Sequence, residues 1–121
     1  MRRPISCFVI TCNEVDRIEQ CLQSVAGWVD ELLVIDSGST DGTLEIAQRY
    51  ADRVYETDWP GFGPQRNRAL GWCQHDWVLS LDADEVVTEA LKCEIDSVLS
   101  EPNLSANFLK FPWHTYLFGA P

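Results

Sequence analysis

Apolar residues fall along this chain in two alternating rhythms: short unbroken runs, and stripes in which they return every three or four positions. Four segments read as strands: the apolar runs Ile5 to Thr11 (ISCFVIT), Glu31 to Asp36 (ELLVID) and Trp77 to Leu81 (WVLSL), and before the last of them the short mixed segment Asp52 to Thr57 (DRVYET). Near-continuous apolar runs rich in branched residues suit strands covered on both faces of a parallel sheet. After the first run, Ile18, Cys21, Leu22 and Val25 recur at i, i+3, i+4, i+7 and predict an amphipathic helix, with Asn13 placed to cap it and Gly27 to stop it. A second helix is expected from about Thr43 to Ala51, turning Leu44, Ile46, Ala47 and Tyr50 to the sheet, with Thr40 or Asp41 as its cap. Trp59 to Pro64 is dense in breakers and reads as a surface loop. Pro64 then fits the first position of a helix over Gln65 to Cys73, packed through Ala69, Leu70, Trp72 and Cys73. Val86 to Leu99 looks helical, capped by Thr88, packed through Leu91, Ile95, Val98 and Leu99, and ended by Pro102. Asn107 to Trp113 alternates partly and adds an edge strand limited by Pro112. The alternation predicts an α/β fold: an open, mainly parallel sheet with helices on both faces.

The last run breaks off into Asp82, Asp84 and Glu85, three carboxylates at one strand end. Ligands of open α/β sheets bind beyond the carboxyl ends of the strands, so these acids fall where a ligand sits. Like charges this close repel, and a hard divalent cation, Mg²⁺ or Mn²⁺ shared with substrate phosphates, removes the repulsion. The plainer reading is a helix start, where acids are favoured, and the two are compatible. Asp36 ends the second run in the same way and can accept hydrogen bonds from a base or ribose. The turn Ser37 to Gly42 lacks the spacing of the dinucleotide, P-loop and calcium-loop motifs, and reads as turn and cap. Arg66 and Arg68 stand near a helix N-terminus, against the macrodipole, which marks Arg66 as a contact for an anionic or aromatic ligand and leaves Arg68 as surface charge. His114 and Tyr116 read as surface or tail residues.

Composition narrows the partners. A net charge of -10 disfavours nucleic acid and anionic lipid, which both need a basic surface. The basic start Met1-Arg2-Arg3 is followed by an apolar run too short for a secretory core or a membrane span, so a cytoplasmic protein is expected. Cys7, Cys12, Cys21, Cys73 and Cys93 are odd in number and show no C-x-x-C pair, which predicts free, mostly buried thiols.

The ordered segments T-C-N-E, V-I-D-S-G-S-T-D-G-T, G-F-G-P-Q-R-N-R-A-L and W-V-L-S-L-D-A-D-E resemble a family 2 glycosyltransferase, especially the bacterial branch that adds sugars to the lipopolysaccharide core. The resemblance runs from Ile5 to about Leu99. It implies the glycosyltransferase A fold with its Rossmann-like sheet, a nucleotide diphosphate sugar as donor, a divalent metal, and a glycan or lipid-linked saccharide as acceptor. By position it implies that Thr11 and Glu14 line the nucleotide pocket, that Asp36 contacts the base, that Asp82 approaches the ribose and sugar, and that Asp84 holds the metal. Many members carry a second Asp where this chain has Ser37. The family also continues into an acceptor-binding half that supplies the general base, so residues 1–121 read as a donor-binding N-terminal part, with surfaces left open to self-association. Glu85 is a candidate base, with a supporting or helix-start role as its rival. A non-catalytic nucleotide-sugar-binding module is the alternative to an enzyme. A nucleotidyltransferase is disfavoured because no glycine- and arginine-rich loop follows Ile10. The same resemblance extends the cytoplasmic expectation to the inner face of the bacterial membrane.

Overall fold

The four segments read as strands form β1 (Ile5–Thr11), β2 (Glu31–Asp36), β3 (Arg53–Glu56) and β4 (Trp77–Asp82). The stripes form helices α1 (Ile18–Val25), α2 (Thr43–Tyr50), α3 (Phe62–Trp72) and α4 (Glu89–Leu99). This computed structural model describes residues 2–102, 104, 108–111 and 115–119, the last two stretches as backbone. Those stretches are strands β5 (Phe108–Phe111) and β6 (Thr115–Gly119), so the expected edge strand is one arm of an antiparallel pair and Tyr116 lies in a strand rather than in a tail. Asn107, Pro112, Trp113 and His114 lie outside the described residues.

The sheet order is β3-β2-β1-β4-β6-β5. Strands β1 to β4 are parallel to one another, and β6 joins β4 antiparallel. Alternate residues of each strand feed two cores. Ile5, Cys7, Val9, Leu32, Val34, Trp77, Leu79 and Leu81 share one with the buried faces of α1 and α4 and with Ala47 of α2. Phe8, Leu33, Ile35 and Val78 share the other with Ala69 of α3. Both faces of the central strands are therefore dry, which is why their sequences read as unbroken apolar runs.

Several local expectations need correction. α3 starts at Phe62, inside the segment read as loop, with Pro64 in its first turn where a missing N–H costs nothing. Asn13 does not cap α1, which begins at Ile18; it takes a left-handed conformation (φ 53°) and its Oδ1 accepts from Thr40 N instead. Asp41 does serve the start of α2, accepting from Thr43 N at 3.0 Å, and Thr88 caps α4 by accepting from Leu91 N at 3.1 Å. All five thiols are free, but only Cys7 and Cys21 are buried, while Cys12 and Cys93 are exposed.

Candidate functional site

The chain runs from β1 outward to β2 and β3, then returns to place β4 on the other side of β1. At such a reversal the loops leaving neighbouring strands diverge and open a crevice at their carboxyl ends. Pairing register brings the candidate residues level there: Thr11 lies opposite Asp36, and Ile10 opposite Asp82. A cleft of about 580 Å³ occupies the position, lined by Thr11 of β1 with Cys12 and Glu14 after it, Ser37 after β2, Trp59 before α3 and Phe62 at its start, and Asp82 of β4 with Ala83 and Asp84 after it.

The floor is built by two loops that fasten each other. Asn13 N donates to Ser39 Oγ at 2.8 Å, Glu14 N to Thr43 Oγ1 at 3.0 Å, and Val15 N to Asp41 Oδ2 at 3.3 Å. The loops lie so close that a Cβ on Gly42 would come within 3.1 Å of Val15 Cγ2. The small polar turn thus fixes Glu14 in the cleft, and Ser37 lines it, so this segment contributes more than the turn and cap expected of it. Asp36 is fully buried; its carboxylate accepts from Gly38 N at 3.1 Å, Ser39 N at 2.8 Å and the Ser39 hydroxyl. It shapes the loop, and the group that reaches the cleft from this strand end is Ser37.

On the β4 side, Asp82 and Asp84 both line the cleft and are exposed. Partial burial, and after it the charges of Asp84 and Glu14, raise the pKa of Asp82. Arg17 stands 3.8 Å from Asp84 across an exposed gap. Glu85 turns back on the strand end: its Oε1 accepts from Asp82 N at 2.8 Å while its own N donates to Asp82 O at 3.0 Å. It therefore braces the Asp82–Asp84 turn and is not among the residues lining the cleft. Arg66 is half-buried on α3 and likewise not a lining residue, and Arg68 pairs with Asp58 at 2.8 Å. Thr11 Oγ1 is buried without a hydrogen-bond partner, the one such side-chain atom among the described residues. A hydroxyl left in that state beside a cleft calls for a partner that the fold itself does not supply.

No group of three His, Cys, Asp or Glu side chains that could enclose a metal occurs among the described residues. The donor set still fits Mg²⁺ or Mn²⁺, because two carboxylates that repel each other on an open strand end leave coordination positions for phosphate oxygens and water. The buried thiol of Cys21 is unsuited to the task. Burial, followed by the neighbouring carboxylates, pushes Cys21 up to about 12, so it stays a protonated thiol.

The family model described as Glycosyl transferase family 2 matches residues 6–115. The chain belongs to that family. Among curated relatives of this family member, a glycosyltransferase of Rickettsia felis is 40% identical over 99 residues, covering 82% of this chain and 35% of the relative. A lipopolysaccharide core biosynthesis glycosyltransferase of Rhizobium meliloti is 36% identical, covering 74% and 34%. The chain thus spans about a third of the length of these curated relatives. Among solved structures, glucosyl-3-phosphoglycerate synthase of Mycobacterium tuberculosis, in complex with Mn²⁺, UDP and phosphoglyceric acid, superposes with a TM-score of 0.71 at 30% identity, covering 89% of this chain and 42% of that one. The fold that the resemblance implied, the glycosyltransferase A fold, is the fold found. Sequence reasoning missed Cys12, Ser37, Trp59 and Phe62 as cleft residues; the last two carried a signal, since large apolar side chains in a breaker-rich loop have no core to enter.

Proposed function

We propose that these residues form the donor site of a glycosyltransferase that moves a sugar, with inversion, from a nucleotide diphosphate sugar to a glycan or lipopolysaccharide-core acceptor. The observation that carries the reading is the meeting of Asp82 and Asp84 with Thr11, Glu14 and Ser37 in one cleft at the point where the strand order reverses. The match to a lipopolysaccharide core enzyme supports the acceptor class, and the Mn²⁺–UDP complex of a relative at 30% identity supports the donor and metal.

In this reading Asp84, with Asp82 beside it, would hold the metal. Bound there, Mg²⁺ or Mn²⁺ supplies Lewis-acid stabilisation of the charge that grows on the departing diphosphate. Thr11 gives its unpartnered hydroxyl to the nucleotide, and Glu14 accepts from a ribose or base N–H or O–H. Asp36 serves the base end of the donor by fixing the Ser37 loop. Arg66 adds positive charge on α3, and Glu85 positions Asp82 and Asp84. The acceptor hydroxyl attacks the anomeric carbon as its bond to the diphosphate breaks, which inverts that centre. Such an enzyme works on cytoplasmic nucleotide sugars, at the inner face of the membrane where lipid-linked acceptors are built. No helix among the described residues is long and apolar enough to cross a membrane.

Calorimetric titration with a nucleoside diphosphate, with and without Mn²⁺, tests this. Asp84→Ala should abolish most of the metal-dependent gain in affinity, and Asp84→Asn, which keeps one oxygen ligand, should retain part of it. Metal-dependent affinity unchanged in Asp84→Ala would remove Asp84 from the site.

A further inference from the structure

We propose that Trp59 and Phe62 form the stacking wall of the cleft and take the face of the donor's nucleobase; this rests on the donor-site reading above. The two side chains are 53% and 49% exposed, against a core that buries most other large apolar residues. Both line the cleft, whereas Val86, also 52% exposed, does not. Their rings meet edge to face, with centroids 6.1 Å apart at 83°, so each leaves a face open.

The segment that carries them is held rigidly. Gly61, at φ 111°, makes a turn into α3 that other residues rarely adopt, and its carbonyl accepts from Gln65 N at 3.1 Å. Gln65 is completely buried, yet fully used. Its Nε2 donates to Ser37 Oγ at 3.1 Å, to Thr57 Oγ1 at 2.6 Å and to Asp58 O at 3.4 Å, while its Oε1 accepts from Arg68 at 3.2 Å. Arg68 returns to Asp58 at 2.8 Å. One buried amide therefore ties the start of α3 to the chain before Trp59 and to Ser37 on the cleft. A ring-binding wall benefits from being fixed before the ligand arrives, because ordering it on binding would lower affinity.

Strand order decides which ring. With the sheet running β3-β2-β1-β4, the acids stand at the β4 end of the cleft, while the aromatic pair follows β3 on a segment that Gln65 ties to Ser37, just after β2. A diphosphate held at Asp82 and Asp84 has its nucleoside free to extend across β1. From β4 to β2 is two strand spacings, about 10 Å, a span that a ribose and base cover. The base then lies against an uncharged aromatic wall, and the acids are left to the diphosphate and metal.

The test is calorimetry of the protein with Mn²⁺ and, in turn, UDP, GDP, CDP, ADP and inorganic pyrophosphate. Trp59→Ala and Phe62→Ala should each weaken the tightest nucleoside diphosphate by about tenfold to a hundredfold and leave pyrophosphate unchanged, with Phe62→Trp recovering most of the loss. Since both side chains are exposed, circular dichroism should show the variants folded. Unchanged nucleoside diphosphate affinity, or an equal loss for pyrophosphate, would overturn the assignment while leaving the donor site standing. A loss seen with UDP-glucose but not with UDP would overturn it by giving the wall to the sugar. Wild-type protein that bound no nucleoside diphosphate more tightly than pyrophosphate would overturn the donor site and this inference together.

Discussion

Asp82 occupies a place that suits a ligand better than it suits the protein. Burial first, then the charges of Asp84 and Glu14, raise its pKa, so at neutral pH the ionised carboxylate is held against its preference. The sign follows from linkage: an acid whose folded pKa lies above its unfolded one destabilises the fold wherever it is ionised, and the penalty disappears once it is protonated. Asp82→Asn should therefore raise the thermal midpoint of the metal-free protein at pH 7, by on the order of 1–2 °C because the group is exposed and screened. The same change should reduce Mn²⁺-dependent nucleotide binding. Scanning calorimetry in chelator reads the first effect, and a lowered midpoint there would mean that Asp82 stabilises the fold and is not in a repulsive cluster. Thr11, with its buried hydroxyl unpartnered, is a second residue at which stability is given up beside the cleft.

Between elements, the opposite end of the sheet is secured by Glu31, at the start of β2 and only 5% exposed. It accepts from Ser6 Oγ of β1 at 2.7 Å, from Gln74 N before β4 at 2.8 Å, and from the Arg53 guanidinium of β3. Burial by itself would raise its pKa, but the bonds from Gln74, Ser6 and Arg53 outweigh it and the net shift is downward. Its contribution is then fully present above the ordinary value of 4.5 and is lost as pH falls through the lowered folded value. Glu31→Ala should cost roughly 2–4 kcal/mol at pH 7, since it strands three donors, one of them the charged Arg53. The difference from wild type should shrink in urea melts near pH 3; a gap that stayed constant with pH would assign the loss to packing rather than charge. Nothing in the sequence marks Glu31 as more than the first residue of a strand. The central strands were legible because both their faces are dry, which gives β1 and β2 the bounds expected from their apolar runs. Asp82 and Asp84 were legible because charge at the end of such a run is conspicuous. What the sequence hid is whatever depends on a distant partner. Gln65 bonds to Ser37 and Thr57, Asn13 serves Thr40 instead of its own helix, and α3 begins in a segment whose glycines and proline look like loop until Gly61 is seen to make the turn.

For the molecule as a whole, the proposed donor site divides the cleft in two: Thr11, Glu14, Ser37, Trp59 and Phe62 are assigned to the nucleoside, and Asp82 and Asp84 to the diphosphate and its metal. Glu85, the carboxylate that the sequence offered as a base, spends one oxygen on Asp82 N and braces the strand end. A general base contributes about 10²–10⁴-fold to such a reaction, and positioning of the acceptor contributes still more. Because the chain spans about a third of its curated relatives, residues 1–121 alone should bind the nucleotide sugar with Mn²⁺ yet transfer it poorly. Slow hydrolysis is expected in place of transfer, since water needs no acceptor pocket to reach the anomeric carbon. Incubating the chain with a labelled nucleotide sugar, Mn²⁺ and lipopolysaccharide-core acceptors, and following glycoside product and free sugar separately, distinguishes the outcomes. Metal-dependent binding with slow release of free sugar would fit a donor site awaiting its acceptor half. Efficient multiple-turnover transfer would show that a base already stands within these residues, with Glu85 the first to substitute.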